Sequence, residues 1–214
     1  MRELENYLYQ TLISKIECLG FLWIKNSHYI IKKNRNGYFK FMIIAEDHSI
    51  ESKDDIKVSL TLCVRLNDIE EIYSGYRNIS QPKLLKAAAT HCASWGQLHE
   101  DEKLKLTIVQ RDVDNVSEKI YDIFMTEALP FFNSRSTIEE LDTLYNDNSN
   151  ALEISIKRIS HTITLSLILA KLTKRSDYLM LVQKYEAQLK SLKYNDFPDY
   201  YPNIFNKLVK DLFE

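Results

Sequence analysis

The spacing of apolar residues changes once along this chain, and the change limits the folds that the chain can adopt. From about residue 21 to residue 110, apolar and polar residues tend to alternate, which is the period of a strand with one buried face. From about residue 114 onwards, the apolar residues recur every three or four positions, which is the period of a helix. This order predicts an α+β protein with its sheet in the first half and its helices in the second.

The first half is expected to form an N-terminal helix and an antiparallel sheet of about five strands. Apolar residues at helical spacing over 3–19 indicate the helix, and Gly20 follows where a left-handed residue often ends one. Asn36-Gly37 lies between two aromatic and β-branched runs and predicts a β-hairpin. Later strands are expected near 57–64, 89–98 and 104–110.

The second half is expected to form a layer of helices. Pro130 is predicted to end the first of these helices. Ser136 and Glu139 fit a capping box at the start of the next one. Two long helices, near 151–172 and 178–192, are joined by a short polar segment, and this pattern predicts an antiparallel helical hairpin.

The composition is that of an ordinary globular domain. The chain has 214 residues, of which 45% are apolar and 27% charged, and its net charge is −2. We therefore expect a single α+β domain over 1–214, with helix plus sheet in 1–112 and a helical part in 113–214. Neither half is strongly basic, which disfavours nucleic acid and anionic membranes as partners.

The cysteines and the N-terminal sequence favour a cytoplasmic location. Cys18, Cys63 and Cys92 are too few and too widely spaced for a disulfide framework. We expect them to be small buried residues in a reducing compartment. The N-terminal residues are charged where a signal peptide needs an apolar stretch, and no apolar run approaches the roughly 20 residues that span a bilayer.

The glycines exclude the loops that usually hold phosphate groups. A P-loop or a dinucleotide-binding turn needs two or three glycines within a few residues, whereas the nearest two in this chain are Gly20 and Gly37. The five histidines are scattered, and no two have the spacing of a helical metal site. No cofactor, metal ligand or catalytic residue is therefore assigned, and a non-enzymatic protein is expected.

Acidic loops and abundant tyrosines predict a surface that binds another protein. Residues 46–55 hold five acids and one lysine, and the chain has 13 tyrosines. Acidic side chains attract a basic partner, and tyrosines are frequent anchors at interfaces. The partner is expected to be a basic protein, and the chain itself a monomer or a homodimer. The candidate partner-binding residues are Glu46, Asp47, Asp54, Asp55, Glu100, Asp101, Glu102, Tyr200 and Tyr201.

Three helical segments carry a resemblance to a known family. They are Ala128-Leu-Pro-Phe-Phe132, Ser136-Thr-Ile-Glu-Glu-Leu141 and the helix pair that runs from Ile168 to Tyr178. In outline, residues 1–190 resemble the uncharacterised bacterial domains of the DUF4304 type. The resemblance implies a small cytoplasmic α+β protein and, because some relatives lie in toxin–immunity neighbourhoods, an immunity protein that occludes a toxin. It implies no catalytic residue.

Two other interpretations stay open. The first is a small metal-dependent hydrolase or nuclease-like enzyme, in which Asp47, Asp55 and Asp112 converge with His48 or His91 in a concave pocket. A flat or convex acidic patch would count against that enzyme. The second is a homo-oligomeric structural module, in which the aromatic C-terminal segment pairs with its own copy.

Overall fold

The structure, a computed structural model, describes residues 2–24, 28–47, 55–76, 88–101, 103–109, 113–147, 159–191 and 204–213. Its helices are α1 (Arg2–Ile16), α2 (Asn67–Ser74), α3 (Trp95–Leu98), α4 (Val113–Ile123), α5 (Leu129–Asn133), α6 (Ile138–Asp142), α7 (Ile159–Leu172), α8 (Tyr178–Ser191) and α9 (Asn206–Phe213). Its strands are β1 (Leu22–Trp23), β2 (Tyr29–Asn34), β3 (Gly37–Asp47), β4 (Asp55–Leu66), β5 (His91–Ser94) and β6 (Leu106–Val109). The expected α+β class is confirmed.

The strands form one antiparallel sheet in the order β1-β2-β3-β4-β5, and β6 also pairs with β4. β5 lies along Thr61–Val64 of β4, and β6 lies along Asp55–Val58. Because β3 occupies the other side of β4, β5 and β6 form one interrupted edge strand. Between β5 and β6, the described residues 95–101 and 103–105 lie outside the sheet. The expected strand at 89–98 is therefore shorter, and α3 begins where β5 ends.

The face of the sheet that packs against helices is called here the inner face. In β3 its side chains are the buried Phe39, Phe41 and Ile43. Phe132 of α5 stacks on Phe39 with a centroid distance of 5.2 Å, and Phe124 meets Phe41 edge-on at 5.3 Å. These aromatic pairs hold the helices on the inner face.

Two side chains of α1 complete the hydrogen bonding of β3 where β2 stops. The Tyr9 hydroxyl accepts from the Ile43 N–H (2.7 Å) and donates to the Ile43 carbonyl (2.8 Å). The Glu5 carboxylate accepts from the Ala45 N–H (2.9 Å), and its other oxygen lies 2.8 Å from Nδ1 of His28. Glu5 and Tyr9 are one helical turn apart, so both reach the same strand edge.

The expected hairpin and the expected helix stop are both confirmed. Gly20 has a φ of 82°, and its N–H donates to the Glu17 carbonyl (2.8 Å). Asn34 pairs with Gly37 across the turn between β2 and β3. A Cβ at Gly37 would lie 1.8 Å from the Arg65 carbonyl oxygen, so the close approach of β4 requires this glycine.

Two expected helix boundaries are wrong. Pro130 does not end a helix, because α4 continues through a π-helical turn, Phe124–Ala128, into α5, and Pro130 falls in the first turn of α5. The capping box is formed one residue later than expected. The Thr137 hydroxyl accepts from the Glu140 N–H (3.2 Å), and the Glu140 carboxylate accepts from the N–H groups of Thr137 and Ser136 (3.0 and 2.7 Å).

The expectation of three reduced, buried cysteines is also wrong. Cys63 and Cys92 are directly opposed in β4 and β5, with a Cα–Cα distance of 4.2 Å, and they form a disulfide. They are 29 residues apart in the sequence, so their pairing depends on the strand register. Cys63 is buried, whereas Cys92 and the free Cys18 are exposed.

The chain divides into two units. The first comprises Met1–Leu66 and Ala89–Ser134, which hold α1, the sheet and α3 to α5. The second comprises Asn67–Ala88 and Arg135–Glu214, which hold α2 and α6 to α9. α4 and α5 therefore belong with the sheet, whereas the expected division at residue 112 placed them with the later helices. The single domain over 1–214 stays a prediction. Within the described residues, no helix is both long and apolar enough to cross a membrane.

Candidate binding surface

The face of the sheet opposite to the inner face is called here the outer face. It consists of the even-numbered residues of β3 from Tyr38 to Glu46, the odd-numbered residues of β4 from Lys57 to Arg65, and their lateral neighbours in β1, β2 and β5. Most of these side chains are half-buried or exposed. The helix contacts of Phe39 and Phe41 explain why this face, and not the other, remains accessible.

One lateral row of the outer face crosses five strands. It runs through Leu22, Ile31, Lys40, Cys63 and Cys92, each paired in register with the next. Leu22 is 59% exposed at one end of the row, and Cys92 is exposed at the other. Ile31 and Cys63, which flank Lys40, are buried, so the row is exposed at its two ends and half-buried at Lys40.

Lys40 is flanked by two aromatic rings. Its ammonium nitrogen lies 5.2 Å from the ring centroid of Tyr29 and 5.5 Å from that of Tyr38. Both distances are in the range of a cation–π contact. Burial lowers the pKa of Lys40 from its ordinary value. The centre of the outer face thus combines a partly desolvated cation with half-exposed tyrosines.

The described side chains of the outer face carry more positive than negative charge. Glu46 is the acidic residue among these described side chains. It forms an ion pair with Lys105 and accepts a hydrogen bond from Ser59 (3.2 Å). An acidic ligand would therefore meet favourable charge here, because the glutamate is already compensated. The basic members are Lys33, Lys40, Lys57 and Arg65.

The residues that the sequence predicted as a binding surface fall into three groups. Glu46 lies on the outer face, and Glu100 and Asp101 are exposed in the turn after α3, where Glu100 has a φ of 56°. The backbones of Asp47 and Asp55 are neighbours at one end of the sheet, because the register partner of Asp47 is the residue next to Asp55. The shared acidic surface stays a prediction. Asp54, Glu102, Tyr200 and Tyr201 lie outside the described residues.

The strand register contradicts one part of the predicted hydrolase site. His91 of β5 pairs with Val64 of β4, whereas Asp55 begins β4 nine residues before Val64. His91 and Asp55 are therefore separated by roughly 30 Å along β4. The His91 ring instead stacks on Phe131, with a centroid distance of 5.5 Å. Elsewhere in the described parts of the chain, no three His, Cys, Asp or Glu side chains lie close enough to hold a metal ion. His48 and Asp112 lie outside those parts.

Sequence reasoning missed a polar cluster that fixes the segment between β5 and β6. One carboxylate oxygen of Glu127, in the π-helical turn, accepts from Nε1 of Trp95 (2.9 Å) and lies 2.8 Å from Nε2 of His99. The His99 and Trp95 rings meet edge-on at 5.4 Å. Trp95 is buried and His99 is exposed. No spacing signal joins these residues, because Glu127 is 28 positions from His99.

A second cluster cross-links the helices of the second unit. Nη1 of Arg175 lies 3.2 Å from Asp142 and 2.8 Å from Asp147, and Nε donates to Asp177 at 2.7 Å. These carboxylates, Asp177 foremost, raise the pKa of Arg175, and Arg175 in turn lowers the pKa of Asp177. Asn146 donates to Asp142 at 2.6 Å. Since its members bind one another, we interpret this cluster as structural.

These features define an α+β protein whose antiparallel sheet is packed by helices on one face and presents a basic, tyrosine-containing surface on the other. Comparisons of the chain with protein-family models, with curated proteins and with solved structures gave no match. The resemblance to the DUF4304 type therefore stays a prediction.

Proposed function

We propose that this chain is a protein-binding module and that its outer face binds an acidic protein. The observation that carries the proposal is the position of Lys40 between Tyr29 and Tyr38 at the centre of the outer face. Tyrosine rings provide apolar contact area together with a polar hydroxyl, which is why interfaces are enriched in them. A lysine held between two rings adds positive charge at a fixed position, which favours a negatively charged partner.

The sign of this charge is opposite to the one expected from the acidic loops. Those loops predicted a basic partner, whereas the described side chains of the outer face favour an acidic one. An immunity protein of bacterial, cytoplasmic origin is the biological role that the family resemblance implies, and we include it in the proposal. In that role the outer face would occlude an acidic surface of the toxin. No observation on the described residues favours the hydrolase, which stays a prediction.

A pulldown from the source cells with matched charge variants tests the proposal. The outer-face variant is Lys33→Gln with Lys40→Gln, which removes two charges from adjoining rows of the outer face. The control variant is Lys103→Gln with Lys119→Gln, which removes two charges from exposed lysines elsewhere in the same unit. We expect an acidic protein to be retained in stoichiometric amount by the wild type and the control, and lost from the outer-face variant. Added salt should weaken its retention.

A third variant tests the acidic surface predicted from the sequence. Loss of the partner from this variant alone would refute the acidic partner and place the interface at the acidic end of the sheet. Equal retention by all variants would refute both surfaces. A retained ligand that nuclease removes would show that the outer face binds nucleic acid and would overturn the protein-binding proposal. The substitutions of this variant are Glu46→Gln, Asp47→Asn, Asp54→Asn and Asp55→Asn.

A further inference from the structure

The disulfide of the outer face joins two cysteines that differ in their exposure to solvent. Cys63 is in β4, where neighbouring strands flank it on both sides, and it is 3% exposed. Cys92 is in the edge strand β5 and is exposed. An external thiolate can therefore approach the sulfur of Cys92, while Cys63 is shielded. Because thiol–disulfide exchange depends on which sulfur can be attacked, this asymmetry makes Cys92 the residue that an external thiolate attacks.

The residue paired with the shielded cysteine across the strands is a lysine. Lys40 is the register partner of Cys63 on the side away from Cys92, and both side chains lie on the outer face. The two tyrosine rings hold the Lys40 ammonium in place. A nearby ammonium stabilises a thiolate and makes it a better leaving group. The strand pairing thus makes Lys40 the cation that could stabilise a Cys63 thiolate, and the exposure of Cys92 makes it the cysteine open to attack.

We propose that Cys63–Cys92 is a thiol–disulfide exchange site that reacts with small thiols. The thiolate of the small thiol forms a bond to Sγ of Cys92 as the Cys63–Cys92 bond breaks. The electron pair of the broken disulfide bond leaves with Sγ of Cys63, the register partner of Lys40. A second small thiolate then attacks the small-molecule sulfur of the mixed disulfide and releases Cys92 as a thiolate. Two small thiols are oxidised to one disulfide, and their two protons pass to Cys63 and Cys92.

Mapping of the mixed disulfide tests this proposal. The full chain carrying Cys18→Ser, which removes the exposed free cysteine, is incubated with reduced glutathione, quenched with acid and digested for mass spectrometry. We expect the glutathione adduct on Cys92. In a Cys63→Ser variant treated with oxidised glutathione, Cys92 should accumulate a stable adduct. In the reciprocal Cys92→Ser variant, Cys63 should stay unmodified while the protein is folded, as followed by circular dichroism.

The role of Lys40 is tested by the rate of reduction. Lys40→Met should slow reduction by glutathione, because a thiol with a higher pKa leaves more slowly and the substitution removes the positive charge paired with Cys63. Lys119→Met, at an exposed lysine of α4 outside the outer face, should leave the rate unchanged. The proposal is overturned if the adduct forms on Cys63 as readily as on Cys92. It is equally overturned if iodoacetamide alkylates both cysteines of the folded protein after exposure to oxidised glutathione. If a serine variant does not fold, the wild-type adduct map decides.

Discussion

The Tyr9 hydroxyl bonds both backbone groups of Ile43 in β3, so we expect its removal to destabilise the protein. The substitution Tyr9→Phe removes one oxygen atom and keeps the aromatic ring, which stacks on Trp23 with a centroid distance of 5.7 Å. Both the N–H and the carbonyl of Ile43 then lose their partner, at a strand edge that β2 does not reach. Burial raises the pKa of Tyr9, so its hydroxyl stays protonated and able to donate at neutral pH.

The magnitude follows from the two backbone groups left without a partner. A buried group that loses its hydrogen bond costs about 1–3 kcal/mol, so the loss of two should lower the free energy of unfolding by about 2–6 kcal/mol in Tyr9→Phe. Urea unfolding measures this loss. Hydrogen exchange by NMR locates it, because the amide of Ile43 should exchange at least about 30-fold faster when the loss is about 2 kcal/mol.

The matched control is Tyr7→Phe on the same helix. The Tyr7 hydroxyl donates to Asp114, but the side chain is 43% exposed, so water can replace the lost bond. We expect a loss below about 1 kcal/mol for this variant. Equal losses for the two variants, or an unchanged exchange rate at Ile43, would refute the idea that α1 completes the edge of β3.

Two further predictions concern local structure. Gly37→Ala should destabilise the protein by about 1–3 kcal/mol or more in urea unfolding, because its Cβ would overlap the Arg65 carbonyl. Gly75→Ala, whose Cβ would have its nearest neighbour at 3.4 Å, should be close to neutral, and a similar loss at both positions would argue against the overlap. Burial alone would raise the pKa of Glu140, but hydrogen bonds from Ser136 and Thr137 lower the pKa overall. The ionised Glu140 therefore stabilises the fold above the ordinary glutamate pKa, and this contribution is lost as the pH falls through the lowered pKa. The wild type should therefore lose its stability advantage over Glu140→Gln as the pH falls below the ordinary glutamate pKa, and a difference independent of pH would contradict this.

Local signals predicted much of the fold. Gly20 ends its helix as expected, the hairpin before Gly37 forms, and the helical hairpin of α7 and α8 forms. Each of these features depends on a few adjacent residues or on a regular apolar period. The errors at Pro130 and Ser136 arose where neighbouring residues offered almost equivalent local solutions. A π-helical turn carries the helix past the position at which the proline was expected to end it.

The binding surface was harder to predict because it depends on long-range pairing. The alternation of side chains along β3 places Tyr38 and Lys40 on the opposite face of the sheet from Phe39 and Phe41. It does not show which of the two faces the helices cover. The register of β4 and β5 decides that Cys92 lies beside Cys63 and that His91 lies far from Asp55. The sequence order contains no sign of that register. The acidic residues form a recognisable pattern in the sequence because they are clustered in one segment, whereas the basic residues of the outer face alternate with apolar ones.

The most direct test of the outer face as a binding surface is photocrosslinking in the source cells. Benzoylphenylalanine is placed at Tyr38 on the outer face, at Tyr7 on α1, or at Glu100 in the turn after α3. We predict an adduct to an acidic protein from position 38 alone, and its loss when Lys33→Gln and Lys40→Gln are added. Adducts from position 7 or 100 without one from position 38 would contradict the proposed surface.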